Sequence, residues 1–295
     1  MSITVEEYRR MWPAREFEAP SGGVIRYRWH ENKDSDTAVA LLIGTIGNSD
    51  AFYEHFGILA EKYSVLTFDY PEEIEHNNQI ADCLSELIES LCGKAWLLGQ
   101  SLGGFMSQII AQRHRDVVDG LVLSNTACLA RDMDPAAVLA LHRLTEAQNV
   151  NLKLVSIAPM ELIKRKLLAV DSSLYESLSD SQKAHSEAFS RLTSETLTKE
   201  RLKHSLTMLV DLPKQFGMGP EEFAFLEGRV LLLLSADDTL FSKECRAELV
   251  RLMPSPAVDS SLTGGHLAIF LQPEVYCAKV SEFIDSVNRK ERGNE

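Results

Sequence analysis

Residues 1–130 alternate between short apolar runs and longer stretches of helical spacing, and this rhythm limits the chain to few folds. Ala38 to Ile43 reads Ala-Val-Ala-Leu-Leu-Ile, and Val65–Tyr70, Ala95–Leu98 and Gly120–Ser124 are short runs of the same kind. A strand wetted on one face alternates polar and apolar residues. A run without alternation belongs to a strand buried on both faces, as in a parallel sheet covered by helices. Between the runs, helices are expected over Ala51–Lys62, Ile80–Leu91 and Leu102–His114. Strand, helix, strand, helix in this order implies right-handed crossovers and an α/β fold with a mostly parallel central sheet flanked by helices. Val24–His30 alternates instead and reads as an antiparallel strand.

The rhythm stops near Ala130 and resumes with a strand at Val230–Leu234. A helix over Lys243–Met253, a short strand at Val258–Leu262 and a helix over Val275–Val287 follow, with Arg289–Glu295 expected as a frayed tail. Between the two halves the pattern is helical: Pro135–Gln148, Met160–Leu168 and Glu195–Leu212, punctuated by Pro159, Pro213 and Gly217-Met-Gly-Pro220. Residues 131–225 are therefore expected to form an inserted helical cap, and residues 1–130 and 226–295 the core. Met160, Leu162, Ile163, Leu167 and Leu168 form an apolar stripe in the insertion, which suits core packing better than a pocket wall.

With 295 residues, 45% hydrophobic and 25% charged, the chain has the composition of one globular α/β unit carrying an insertion. A net charge of −13 excludes nucleic acid as a partner, because phosphates would be repelled. The partner expected is a small-molecule substrate. Five scattered cysteines with no C-x-x-C pair suggest a reduced, cytoplasmic setting. The acidic start lacks the pattern of a signal peptide, and no run approaches the roughly 18 apolar residues of a membrane span. No dinucleotide or phosphate loop and no metal-ligand spacing is present, so no cofactor and no metal are expected.

Chemistry concentrates in Gly99-Gln100-Ser101-Leu102-Gly103, a G-x-S-x-G pentapeptide between an expected strand and an expected helix. A sharp turn there throws the serine forward at the sheet end, and only small residues fit beside it. It also sets Ser101 at a helix N-terminus, where free amides favour developing negative charge.

These features resemble the α/β-hydrolase superfamily over nearly the whole chain. The resemblance implies a serine hydrolase with nucleophile Ser101, and an oxyanion hole made by the backbone amides of Thr45 and Leu102. The family's usual His-Gly turn reads Ile43-Gly44-Thr45-Ile46-Gly47 here, which points away from the commonest esterase branches. The segment Phe68-Asp69-Tyr70-Pro71-Glu72-Glu73 departs from the family's glycine-rich loop and is similar to maspardin-like members. The family order of nucleophile, acid and base assigns the acid to the loop after Val230–Leu234, where Asp238 takes the family position and Asp237 competes as a loop-capping carboxylate. The base is His266, in a Gly264-Gly265-His266 loop after the last strand. Of the other histidines, His30, His55, His76, His114 and His142 suit packed or solvated roles, and His185 and His204 suit the surface of the insertion. Three functions stand open: hydrolysis of small esters or thioesters through an acyl-enzyme, cleavage of an amide or carbon–carbon bond by the same serine, and a non-catalytic binding or receptor role.

Overall fold

A computed structural model describes residues 3–168 and 172–293. Among these residues the strands are β1 Arg15–Glu18, β2 Val24–His30, β3 Ala38–Leu42, β4 Ser64–Phe68, β5 Ala95–Gln100, β6 Val118–Ser124, β7 Val230–Leu233 and β8 Ala257–Asp259. They form one sheet in the order β1-β2-β4-β3-β5-β6-β7-β8. The β1–β2 and β2–β4 pairs are antiparallel and all later neighbours are parallel. Every residue of β3, β4 and β5 is buried, which is why their sequences do not alternate.

The helices are α1 Val5–Met11, α2 Tyr53–Ala60, α3 Asn77–Cys92, α4 Leu102–Arg113, α5 Pro135–Ile157, α6 Met160–Leu167, α7 Ser172–Ser177, α8 Asp180–Thr196, α9 Lys199–Asp211, α10 Pro220–Phe223, α11 Lys243–Leu252, α12 Ala268–Leu271 and α13 Pro273–Arg292. Trp96 of β5 meets Phe283 of α13 edge-on, ring centres 5.8 Å apart. Gly99, three residues on and facing the other way, lies against Gly103 and Ser107 of α4. Helices therefore cover both faces of the sheet, and β5 runs through the middle of the core.

Helices α5 to α10 all lie between β6 and β7. At the root of this excursion Ala130 bridges Met218, and the Met218 amide donates to Leu129 O at 3.1 Å. Helix α5 packs along α9, and α8 against α12.

Several boundaries differ from the sequence reading. Helix α5 continues past Gln148 to Ile157, because packing along α9 overrides the weak propensities of Asn149 and Asn151. The helix expected over Glu195–Leu212 is interrupted at Leu197-Thr198, where Thr198 caps α9 by accepting from the Arg201 amide. Helix α8 was not foreseen, although Ser179 and Gln182 form a capping box at its start. The last strand is only Ala257–Asp259, and α13 extends through Arg289 to Arg292 where a frayed tail was expected. The end of that tail, residues 294–295, and residues 169–171 of the insertion lie outside the described residues.

Candidate active site

Strand β5 ends at Gln100 and α4 begins at Leu102, leaving Ser101 alone in the turn with φ 55° and ψ −116°. A side chain with a Cβ rarely adopts such a conformation, and it persists only where its surroundings enforce it. The Ser101 amide donates to Ser124 O (3.0 Å), and Thr126 Oγ1 donates to Ser101 O (2.8 Å). The glycines are required by contact: a Cβ on Gly103 would stand 2.0 Å from Leu42 O, and one on Gly99 would stand 2.3 Å from Gly103 O.

The Leu102 amide opens α4 and has no carbonyl one turn earlier in the helix to receive it. Thr45 follows β3 and lines the same cavity as Ser101. Gly44 lies so close to the Gln100 side chain that a Cβ there would meet Oε1 at 2.2 Å.

Asp238 and His266 are brought together although 28 residues separate them: His266 Nδ1 stands 3.1 Å from Asp238 Oδ2. Asp238 is 4% exposed, and its other oxygen accepts the Leu240 amide at 2.8 Å. Asp237 turns elsewhere and accepts the Gly264 amide at 2.8 Å. The positive φ of Gly264 (114°) and Gly265 (65°) lets the loop bend His266 back over the sheet end.

Two residues that the sequence reading passed over complete this arrangement. Asn125, directly after β6, donates to Gly265 O (3.0 Å) and Ser235 Oγ (3.1 Å) and accepts the Ser235 amide (2.8 Å), so it ties the Asp238 loop to the His266 loop. Gln100 Nε2 lies 3.3 Å from both His266 Nε2 and His266 O. The His266 carbonyl can only accept, which assigns this nitrogen as the NH2 group. In the neutral tautomer with Nδ1–H directed at Asp238, Nε2 is the acceptor that faces this NH2. Gln100 occupied a variable position of the pentapeptide, and its place beside Ser101 was the available signal. Asn125 had no signal beyond following a buried strand.

A cavity of about 600 Å³ opens at Ser101. Its walls include Leu144 and Val155 of α5, Ile163 of α6, Leu202 and Leu206 of α9, and Phe241. The stripe in the insertion is divided: Leu162, Ile163 and Leu167 line this cavity, whereas Met160 packs against the core. Three of the other histidines are packed away from this cavity. His55 is buried between Phe52, Phe270 and Tyr276. His204 is buried against Ile74 O (2.6 Å), and His185 lies 3.1 Å from Glu54 Oε2, so both tie the insertion to the core instead of facing solvent. Among the described residues no group of three or more His, Cys, Asp or Glu side chains is placed to hold a metal, and no helix is long and apolar enough to cross a membrane.

A serine at a strained strand-to-helix turn, in an eight-stranded and mostly parallel sheet with helices on both faces, makes this chain an α/β-hydrolase. More narrowly, residues 78–263 match the family described as serine aminopeptidase, S33, and the chain belongs to it. The match includes Ser101 and Asp238 and ends just before the His266 loop. Over 129 residues, 39% of this chain and 45% of the other, it is 30% identical to the uncharacterized membrane protein YNL320W of Saccharomyces cerevisiae. Over 171 residues, 54% of this chain and 58% of the other, it is 24% identical to the proline iminopeptidase PfmaB of Pestalotiopsis fici. The chain thus spans about half the length of the curated relatives it matches. Similar solved structures include a hydrolase from Pseudomonas aeruginosa (TM-score 0.72, 18% identity, 92% of this chain and 98% of that one) and a thermophilic esterase from Thermogutta terrifontis (TM-score 0.70, 18%, 93% and 98%). An enol-lactonase from Burkholderia xenovorans gives a TM-score of 0.69 at 13% identity, over 92% of this chain and all of that one. At these identities what they share with this chain is the fold.

Proposed function

We propose that this protein is a serine hydrolase of carboxylic esters with an apolar acyl group, using Ser101 as nucleophile, His266 as general base and Asp238 as the acid that orients it. One observation carries the reading: the His266–Asp238 pair, 3.1 Å apart, stands beside a serine held at positive φ on the wall of an apolar cavity. A serine hydroxyl is a weak nucleophile until a base takes its proton. His266 Nε2 takes the Ser101 proton as Oγ attacks the carbonyl, and buried Asp238 stabilises the imidazolium. The amides of Thr45 and Leu102 hold the oxyanion, each worth about 3 kcal/mol. The acyl-enzyme is then hydrolysed by water. Residues 131–225 act as a cap whose helices α5, α6 and α9 form the acyl wall. The unpaired cysteines fit a reducing, cytoplasmic setting.

Amide hydrolysis is the second reading, favoured by the family's name and by the similarity to an iminopeptidase. Releasing an N-terminal residue calls for a carboxylate facing the α-ammonium on the acyl side. Among the described residues none lines the Ser101 cavity, where the charged side chain is Lys166. Ester hydrolysis is therefore the better fit.

Ser101→Ala should fold normally and lose turnover of an activated ester by about 10⁶-fold. A fluorophosphonate should add once, at Ser101. Full activity in the alanine variant, or stoichiometric labelling of another residue, overturns the assignment.

A further inference from the structure

A second cavity of about 600 Å³ adjoins the first, and the two share Ile46, Leu167, His266 and Leu267. Ser101, Thr45 and Gln100 line only the first. The second is walled by Ser186, Phe189 and Ser190 of α8 and by Asp237, Thr239 and Gly265. His266 thus stands on the boundary between a space that contains the nucleophile and one that does not.

That position divides a substrate. The carbonyl carbon must lie against Ser101 Oγ, so the acyl group stays in the first, apolar cavity. The leaving oxygen must lie against His266, because the proton that imidazole took from the serine is delivered there. The rest of the leaving group then extends into the second cavity. What it meets there is set by charge. Asp237 uses one carboxylate oxygen for the Gly264 amide, and no hydrogen bond from the described residues reaches the other. Ser186 and Ser190, four apart on one face of α8, line this cavity. Among the described residues no lysine or arginine lines this cavity.

We infer that Asp237 is a specificity-determining residue that selects esters of neutral, hydroxyl-bearing alcohols and rejects anionic leaving groups. The inference rests on the serine-hydrolase reading above. In the reaction the bond from Ser101 Oγ to the acyl carbon forms, and the bond from that carbon to the leaving oxygen breaks. The proton on His266 Nε2 passes to the departing alkoxide, whose second hydroxyl donates to Asp237. Water then cleaves the acyl-serine to carboxylate and regenerated Ser101. A thioester of a phosphate-bearing thiol fits poorly, since its phosphates would meet Asp237 without a compensating cation.

The test holds the acyl group constant and varies the leaving group: ethyl, 2-hydroxyethyl and carboxymethyl octanoate, with p-nitrophenyl octanoate as the reference. For the unaltered protein, kcat/KM should be roughly 10-fold higher for 2-hydroxyethyl than for ethyl, the scale of one net hydrogen bond. For the carboxymethyl ester it should fall roughly 10-fold below ethyl through like-charge repulsion. Asp237→Asn can still accept the Gly264 amide, and it should compress the spread by raising the carboxymethyl ester relative to ethyl. If that variant does not fold, Asp237→Ser, uncharged and at the same exposed position, should compress the spread in the same way. Equal kcat/KM for the three esters, or one common factor of change for all of them in Asp237→Asn, sinks the inference. Turnover of p-nitrophenyl octanoate with a flat leaving-group profile removes only this inference. No turnover of any ester, with no phosphonate label at Ser101, removes the serine-hydrolase reading as well.

Discussion

Gln100 shows how much of the site is set by side chains that take no part in bond making. Its amide nitrogen lies 3.3 Å from His266 Nε2 and 3.3 Å from His266 O, and it is 3% exposed. It faces the Nε2 to which the proposed mechanism delivers the Ser101 proton, and it holds the ring and its loop in register. The longer distances make these bonds weak enough to yield when Ser101 engages. Gln100→Leu keeps the volume and removes the donor. Asn125 still holds the loop through Gly265 O, so the variant should fold, with kcat lowered roughly 10-fold and KM nearly unchanged, as expected when orientation is lost but binding is not. Steady-state kinetics on one activated ester decide it, and an unchanged kcat would reduce Gln100 to a space filler. The same scale separates two adjacent aspartates. Asp238 is buried at His266 Nδ1, whereas Asp237 is exposed and latches the Gly264 amide. Their order in the sequence left both available, and only the direction of each side chain tells them apart.

At the scale of elements, the segment after β4 braces both the surroundings of Ser101 and the insertion. Asp69 Oδ1 accepts the Ser49 amide (2.8 Å), and Tyr70 OH donates to Ile43 O (2.9 Å), fixing the loop that carries Thr45. From α9, Arg201 Nε donates to Glu72 Oε1 (3.2 Å) and Nη2 lies 3.5 Å from Asp69 Oδ2. This is the stretch in which the sequence departed from the family's glycine-rich loop, and the departure supplies Glu72, which joins Asp69 in clamping α9 through Arg201. Because α9 also gives Leu202, Leu206 and Leu209 to the wall of the Ser101 cavity, the clamp and the pocket are linked. Arg201→Ala should raise KM for octanoyl esters by roughly 3- to 10-fold, the equivalent of about 1 kcal/mol of lost fit. Acetyl esters, too short to reach α9, should be nearly unaffected. A uniform change across acyl lengths would show that α9 is held by packing alone.

For the whole molecule, stability is coupled to pH through a residue remote from the chemistry. His55 of α2 is buried, donates from Nε2 to Ile269 O (3.0 Å), and has no partner for Nδ1. Burial disfavours the charged ring and pushes its pKa down to about 4, even though the Ile269 bond opposes the shift. The unfolded chain protonates near the ordinary histidine value of about 6.5, before the folded one does. The stability contribution is therefore complete above pH 6.5 and is lost as pH falls toward 4, by about 3 kcal/mol in all. His55→Phe fits the aromatic cluster and should flatten this window, although it leaves Ile269 O unpaired and lowers stability at pH 7. Denaturant melts at pH 7 and pH 5 test the idea. An equal drop in both proteins would assign the acid sensitivity elsewhere.

The sequence by itself determined the layered α/β architecture. Runs such as Ala38–Leu42 are apolar throughout because both faces are covered, and that is a local property of the strand. It also marked Ser101, since a strained turn between strand and helix needs its glycines within a few residues. The His266 loop was legible for a related reason: two adjacent glycines announce positive φ. Other features depended on residues far apart in the chain. Helix α5 outran its own propensities because α9 lies along it, and Thr198 interrupts a helical pattern that periodicity alone would have continued. Asn125 and Gln100 are polar side chains whose partners lie 110 to 166 residues away, and no local pattern encodes such a pairing. The two cavities are likewise a product of packing, formed where α5, α6, α8 and α9 fail to close over the sheet end. Periodicity reports that a helix has an apolar face, but only the tertiary structure decides whether that face meets another helix or an open space.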